Sequence, residues 1–315
     1  MKSKLDWKLP GNVVPPITPF TGDGKVDYKT LAAEIDYVIV SSRPAAIAVA
    51  AVEAQEYQYL SDDERRRLIR ETIAMIDGRV PALVGISHAS FRTSIELAEY
   101  ARELGASAVQ LLLPNRPSGG PATTAEIVSY FEHISTATPL PVVAYHNQGP
   151  GADMSVKGVL EVLALDNVVA LKESSRNQRY LAQLLHGARE KQLAHIFTTL
   201  EVLLGTLNLG AAGGTMPPPG SALSAILVEA FHAGNLKRAM RVQQLLSVMP
   251  ALWVQHGLVS VSKTSLRALG LDCGVSYPPF GPVPQTAVDE MGAFWVEALA
   301  EFPEIRPAVS VSSGA

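Results

Sequence analysis

The 315-residue sequence holds a single cysteine, Cys273. That excludes an internal disulfide framework, and a reducing, cytoplasmic setting is expected. A strong excess of either charge is also missing. Lys and Arg number 26 against 30 Asp and Glu, a formal net charge of −4. Composition therefore argues against a strongly cationic nucleic-acid binder, and no nucleic-acid partner is expected. Residues 1–8 lack an apolar signal core and are not expected to act as a secretory leader. One long uncharged stretch lies between Glu201 and Glu229, but Gly213-Gly214 and Pro217-Pro218-Pro219 interrupt it. It reads as buried helix, strand and loop, so no membrane partner is expected.

Several reactive motifs are missing too. No G-x-G-x-x-G follows the first apolar run, which weakens a dinucleotide-binding reading. His88, His133, His195 and His232 show no metal-ligand spacing, and no His-x-His lies in the first run. Ser87-His88 has no G-x-S-x-G elbow around it. No metal site is expected.

What is present is alternation. Short apolar runs at 13–18, 46–52, 81–86, 108–113, 141–146, 168–173, 194–199 and 211–216 read as strands buried on both faces. Between them lie amphipathic helical patterns, such as Leu68, Ile69, Thr72, Ile73 and Ile76 on one face. Ser61 with Glu64, and Thr123 with Glu126, have capping-box spacing at helix starts. The Arg65-Arg66-Arg67 run follows Asp62 and Asp63 at helical spacing and reads as a solvated, paired face. Eight such units in series predict a (β/α)8 TIM barrel over 1–233. Helical patterns at 236–248, 251–269 and 286–301 predict a C-terminal helical extension over 234–315, with a frayed tail from Pro307.

In such a barrel the reactive groups lie at the C-terminal ends of the strands. Lys172 and Tyr145 each stand one residue before the end of the sixth and fifth runs. A lysine in apolar surroundings loses solvation of its charged form, so the free amine becomes available to attack a carbonyl. Its bland alternative is a snorkelling or ion-paired lysine. A phenol on the neighbouring strand can pass a proton, or can merely cap the core.

The order of several motifs resembles the dihydrodipicolinate synthase and N-acetylneuraminate lyase family of class I aldolases. The likeness spans about residues 11–284. It rests on Pro16-Ile17-Thr18-Pro19-Phe20, on Leu60-Ser61-Asp62-Asp63-Glu64-Arg65, on Tyr145 and Lys172-Glu173-Ser174, and on Gly210-Ala211-Ala212-Gly213. Val261-Ser262-Lys263 and Tyr277-Pro278-Pro279 extend it. The resemblance implies Lys172 as the imine-forming nucleophile, Tyr145 as the proton relay, and a small carbonyl substrate. It also implies catalysis with no metal or organic cofactor, and a homotetramer or homodimer.

The departures bear on substrate. Where the family carries Gly-Thr-Thr-Gly-Glu, this chain reads Val52-Glu53-Ala54-Gln55-Glu56. Glu53 and Ala54 thus replace the pair that holds the carboxylate of a 2-oxo acid, and the negative charge of Glu53 disfavours pyruvate there. Pro114-Asn115-Arg116 stands where the synthase has its second tyrosine, and no arginine follows Tyr145. Arg116 is a candidate anion site or an ion-pair partner of Glu53 or Glu56. His146 is a candidate acid or base, or a hydrogen-bonded residue past the strand. Gly213, Gly214 and Thr215 are a candidate anion site, or serve close packing. Glu53 itself binds an amine, acts as a base, or pairs with Arg116 or Lys172. The leading reading is a Schiff-base lyase other than dihydrodipicolinate synthase. The second is a family member that has lost turnover and serves as a small-molecule binding or regulatory protein.

Overall fold

A computed structural model describes residues 5–249 and 251–305. Part of the N-terminal segment and the tail expected to fray lie outside the described residues. Eight parallel strands form one sheet in the order β1 to β8. They are β1 Val13–Val14, β2 Ala46–Val49, β3 Ala82–Gly85, β4 Ala108–Leu112, β5 Val142–His146, β6 Val168–Glu173, β7 His195–Thr198 and β8 Gly213–Gly214. A parallel bridge from Val13 to Thr215 closes the ring. The fold is the (β/α)8 barrel that the alternation predicts. Several strands are shorter than their apolar runs for a visible reason. Pro15 and Pro16 follow β1 and Pro217 follows β8, and proline has no N–H for a ladder.

The barrel helices are α1 Tyr28–Tyr37, α2 Asp62–Ile76, α3 Phe91–Glu103, α4 Thr124–Ala137, α5 Val156–Leu163, α6 Gln178–Glu190, α7 Leu203–Asn208 and α8 Gly220–His232. Both expected capping boxes form, at Ser61/Glu64 and Thr123/Glu126. The arginine run departs in part from its expected solvated, paired face: Arg67 is exposed and Arg66 half-buried, but Arg65 is not, and no salt bridge to Asp62 or Asp63 forms among the described residues. Arg65 is buried, donates to the carbonyls of Gly85 and Ser87, and lies over the Tyr57 ring. Arg66 and Arg67 lie over Tyr100 and Tyr28. Aromatic faces, not Asp62 and Asp63, receive these cations.

Beyond the barrel come α9 Leu236–Val248, α10 Ala251–His256, α11 Leu258–Ala268 and α12 Gln285–Glu301. The sequence pattern reads 251–269 as one segment; Gly257, at φ 82°, splits it into α10 and α11. No helix among the described residues is long and apolar enough to cross a membrane. The uncharged stretch before Glu229 folds as α7, β8 and the buried α8.

Strand parity decides what faces the barrel interior. Ala46 and Ala48 of β2, Val143 of β5, Ala170 of β6 and Phe197 of β7 share one inner cluster, and the Trp7 ring lies 6.0 Å from that of Phe197. The other parity, for example Ile47, Ala144 and Leu171, belongs to the apolar layer between sheet and helices. Two steps along the inner row from Val143 is Tyr145, and two steps from Ala170 is Lys172. Both therefore rise from the interior at the C-terminal end of the sheet.

Candidate active site

Tyr145 and Lys172 are direct register partners across β5 and β6. The Lys172 ammonium nitrogen stands 3.4 Å from the centroid of the Tyr145 ring. Lys172 is 9 % exposed and makes no salt bridge among the described residues. Burial depresses its pKa to about 7, against the support that the Glu53 and Glu173 carboxylates give the charged form. Near neutral pH a substantial share of Lys172 is therefore free amine. Burial, and next the charge of Glu53, push the Tyr145 phenol well above its usual value, so it keeps its proton.

The phenol is held at both ends of its hydrogen-bonding capacity. Tyr145 Oη donates to Glu53 Oε2 at 2.7 Å and accepts from Asn147 Nδ2 at 2.8 Å. The other carboxylate oxygen, Glu53 Oε1, is buried with no hydrogen-bond partner among the described residues. Glu53, Ala54, Tyr145, Lys172 and Thr215 line one cavity of about 320 Å³. Its apolar walls include Leu200, Met216, Trp253 and Leu258. The Thr215 hydroxyl there also has no partner among the described residues. A larger hollow of about 800 Å³ opens at the other end of the barrel, beside Leu9, Val169 and His195, and holds none of these groups.

The segment carrying Glu53 is clamped from several sides. Gln55 accepts from the Ala51 and Val52 amides at 2.8 and 3.2 Å, and donates to the Ala48 carbonyl at 2.9 Å. Gln110 donates to the Ala51 carbonyl at 2.6 Å. Gly85 lets this turn lie against β3, since a Cβ there would meet the Ala50 oxygen at 2.1 Å. Beyond it, Glu56 accepts from buried Lys263 at 2.7 Å and from the Tyr277 amide at 2.6 Å.

Four expected site residues are not brought to the cavity. His146 is one position beyond Tyr145, so it turns to the opposite face of the strand. It is buried; its Nε2 accepts from the Met154 amide at 3.2 Å, which leaves the proton on Nδ1, donated to Glu173 at 2.8 Å. Arg116 reaches Glu126, the capping-box glutamate of α4, rather than Glu53 or Glu56. Gly213 and Gly214 serve the barrel seam. A Cβ on Gly213 would meet the Gly11 carbonyl oxygen at 1.6 Å, and the Gly214 amide is spent on Asn12 at 3.1 Å. Of that trio only Thr215 lines the cavity.

The structure adds residues that sequence reasoning passed over. Asn147 shares the parity of Tyr145, which was a usable signal. Arg176, four residues after Lys172, lines the cavity and pairs with Glu201 at 2.5 Å. Trp253 arrives from α10, with no local signal to place it. Among the described residues no three His, Cys, Asp or Glu side chains converge as a metal site.

The fold as a whole has counterparts among known proteins. The model of the dihydrodipicolinate synthetase family matches residues 8–297. The chain belongs to this family. Its members are class I aldolase-type lyases. A 4-hydroxy-tetrahydrodipicolinate synthase of Ralstonia nicotianae is 29 % identical over 285 residues, covering 88 % of this chain and 93 % of the relative. YagE of Escherichia coli K12, a prophage protein of the dihydrodipicolinic acid synthase family solved with pyruvate, superposes with a TM-score of 0.83. That match is 24 % identical and covers 93 % of this chain and 99 % of the other, so it speaks to the fold. The N-acetylneuraminate lyase of Mycoplasma synoviae shares the fold as well, with a TM-score of 0.77 at 20 % identity over 91 % of this chain and 96 % of that one.

Proposed function

We propose that this chain is a cofactor-independent Schiff-base lyase whose nucleophile is Lys172 and whose proton relay is Tyr145. The reaction is aldol cleavage or condensation, or loss of water, on a 2-oxo acid or related carbonyl compound. The observation that carries the reading is a buried, half-neutral amine stacked on a phenol that retains its proton, at adjacent strand ends. The amine attacks the carbonyl carbon; the phenol supplies the proton with which the carbinolamine oxygen leaves as water.

Substrate choice departs from the synthase. A carboxylate placed beside Glu53 loses charge-assisted hydrogen bonds, each contributing about 1.5–3 kcal/mol, and meets repulsion besides. Pyruvate and aspartate semialdehyde are therefore poor substrates. Ala54 and Thr215 line the space for the preferred one, and Arg176 supplies the cavity's guanidinium for an anionic group. The family resemblance supports a homodimer or homotetramer, and the lone buried Cys273 accords with the cytoplasm.

Borohydride reduction with a panel of pyruvate, 2-oxobutanoate and hydroxyacetone, read by intact mass, tests the class. Covalent gain of a reduced carbonyl adduct is the expected result. No adduct with any panel member, from protein that still binds carbonyl ligands, would favour the binding or regulatory reading instead.

A further inference from the structure

Glu53 is more than an obstacle to pyruvate. Its segment is fixed by Gln55, Gln110 and the Glu56–Lys263 pair, so the carboxylate is held in place before any substrate arrives. One oxygen takes the Tyr145 hydrogen bond, and the other is buried with no partner among the described residues. An idle carboxylate oxygen is costly unless a ligand or a reaction uses it. Glu53 is among the residues that line the cavity holding the Lys172 amine. Threonine cannot carry off a proton at neutral pH, whereas a carboxylate can.

We propose that Glu53 is a catalytic residue, the general base that takes the substrate proton once the imine on Lys172 has formed. This rests on the Schiff-base reading above. In the cleavage direction the hydroxyl proton β to the iminium passes to Glu53. The carbon–carbon bond breaks, its electron pair forms the enamine and neutralises the iminium nitrogen, and an aldehyde leaves. The protonated Glu53 then returns its proton to the enamine carbon, which restores the iminium for hydrolysis by water. The same group removes a proton from the carbon next to the imine in the reverse direction. Tyr145 serves the carbinolamine steps, and its hydrogen bond to Oε2 leaves Oε1 for the substrate.

Two readouts separate Glu53 from Lys172. The probe is whichever panel carbonyl is trapped most efficiently on the wild-type chain. Borohydride trapping reports the imine; deuterium uptake from D2O into the carbon next to the carbonyl, followed by NMR, reports proton removal. Glu53→Gln keeps the shape and is expected to retain trapping within about threefold while exchange falls by roughly 10²–10⁴-fold. Glu53→Ala is expected to lose exchange likewise and to regain part of it in proportion to added formate, an effect that a packing role would not produce. Trapping with undiminished exchange in both variants overturns the Glu53 assignment alone. Loss of exchange without any formate response assigns Glu53 a positioning role and also overturns it. Absence of trapping on the wild-type chain overturns the imine reading beneath it.

Discussion

At the scale of single residues, the proposed site sets a partly neutral amine, a protonated phenol and a carboxylate around one cavity. Tyr145→Phe keeps the ring against Lys172 and removes the hydroxyl, with its hydrogen bonds to Glu53 and Asn147. Steady-state assays are expected to show a loss of roughly 10²–10⁴-fold in turnover with an unchanged circular dichroism spectrum. A loss below about threefold would make Tyr145 a packing residue. Lys172 carries a pH consequence. Its amine becomes nucleophilic as pH rises through about 7, so the trapping rate should rise there and level off above it. The Glu53 charge supports the ammonium form, and Glu53→Gln removes that support. The Lys172 pKa then falls further, and the rise in trapping moves to lower pH. A rise moved to higher pH in Glu53→Gln would contradict the electrostatics. The neighbourhood of Tyr145 and Lys172 was legible in the sequence, because two apolar runs end in reactive groups on consecutive strands. The placement of His146 was legible as well, had the period of two been applied past Tyr145. Arg116 was not legible: its partner depended on a helix cap, Glu126, that itself carried a known role.

At the scale of elements, two constraints hold the barrel in shape. The β1–β8 seam brings the Gly11 carbonyl against Gly213, where a side chain has no room. Gly213→Ala is expected to lower the thermal midpoint by about 2–5 °C, as overpacking that costs about 1–3 kcal/mol does in a chain of this size. A midpoint within about 1 °C of wild type would show that the seam yields. The second constraint is Glu34 on α1, fully buried and accepting from the Ile17 amide at 2.6 Å. Burial raises its pKa to about 8 from an ordinary 4.5. The folded chain thus keeps this proton across a range in which the unfolded chain has released it. Over that window stability falls as pH rises, by up to roughly 1.4 kcal/mol per pH unit from this group. Glu34→Gln keeps an acceptor and removes the titration. Its midpoint should gain on wild type progressively from pH 5 to pH 8, in differential scanning calorimetry. A constant difference across that range would show that Glu34 does not hold its proton. Strand positions were readable because buried parallel strands are continuously apolar. The split of 251–269 was not, since Gly257 within an amphipathic pattern breaks a helix only when tertiary packing favours the turn.

At the scale of the whole molecule, one barrel end gathers groups that lie far apart in sequence. Glu53 follows β2, Tyr145 and Lys172 come from β5 and β6, Thr215 follows β8, and Trp253 descends from α10. Sequence reading could assign the strand-end residues from order alone. It had no means of placing Trp253, whose position depends on how α9 to α11 fold back over the barrel. The proposal that the wall after β2 sets substrate choice is tested by exchanging that wall. Glu53→Thr with Ala54→Thr is expected to improve pyruvate trapping by about tenfold, equivalent to roughly 1.4 kcal/mol. Deuterium exchange per trapped imine should fall in the same variant, because the base has gone. Unchanged or weaker trapping would mean that the carboxylate is held elsewhere. Efficient wild-type turnover of pyruvate with aspartate semialdehyde would show that the synthase activity survives on different contacts. Peptide mapping of the borohydride-reduced adduct tests the Lys172 imine most directly. The label is expected on Lys172, with a folded Lys172→Ala protein left unlabelled. A label on another lysine, such as buried Lys263, with Lys172→Ala still labelled, would contradict it.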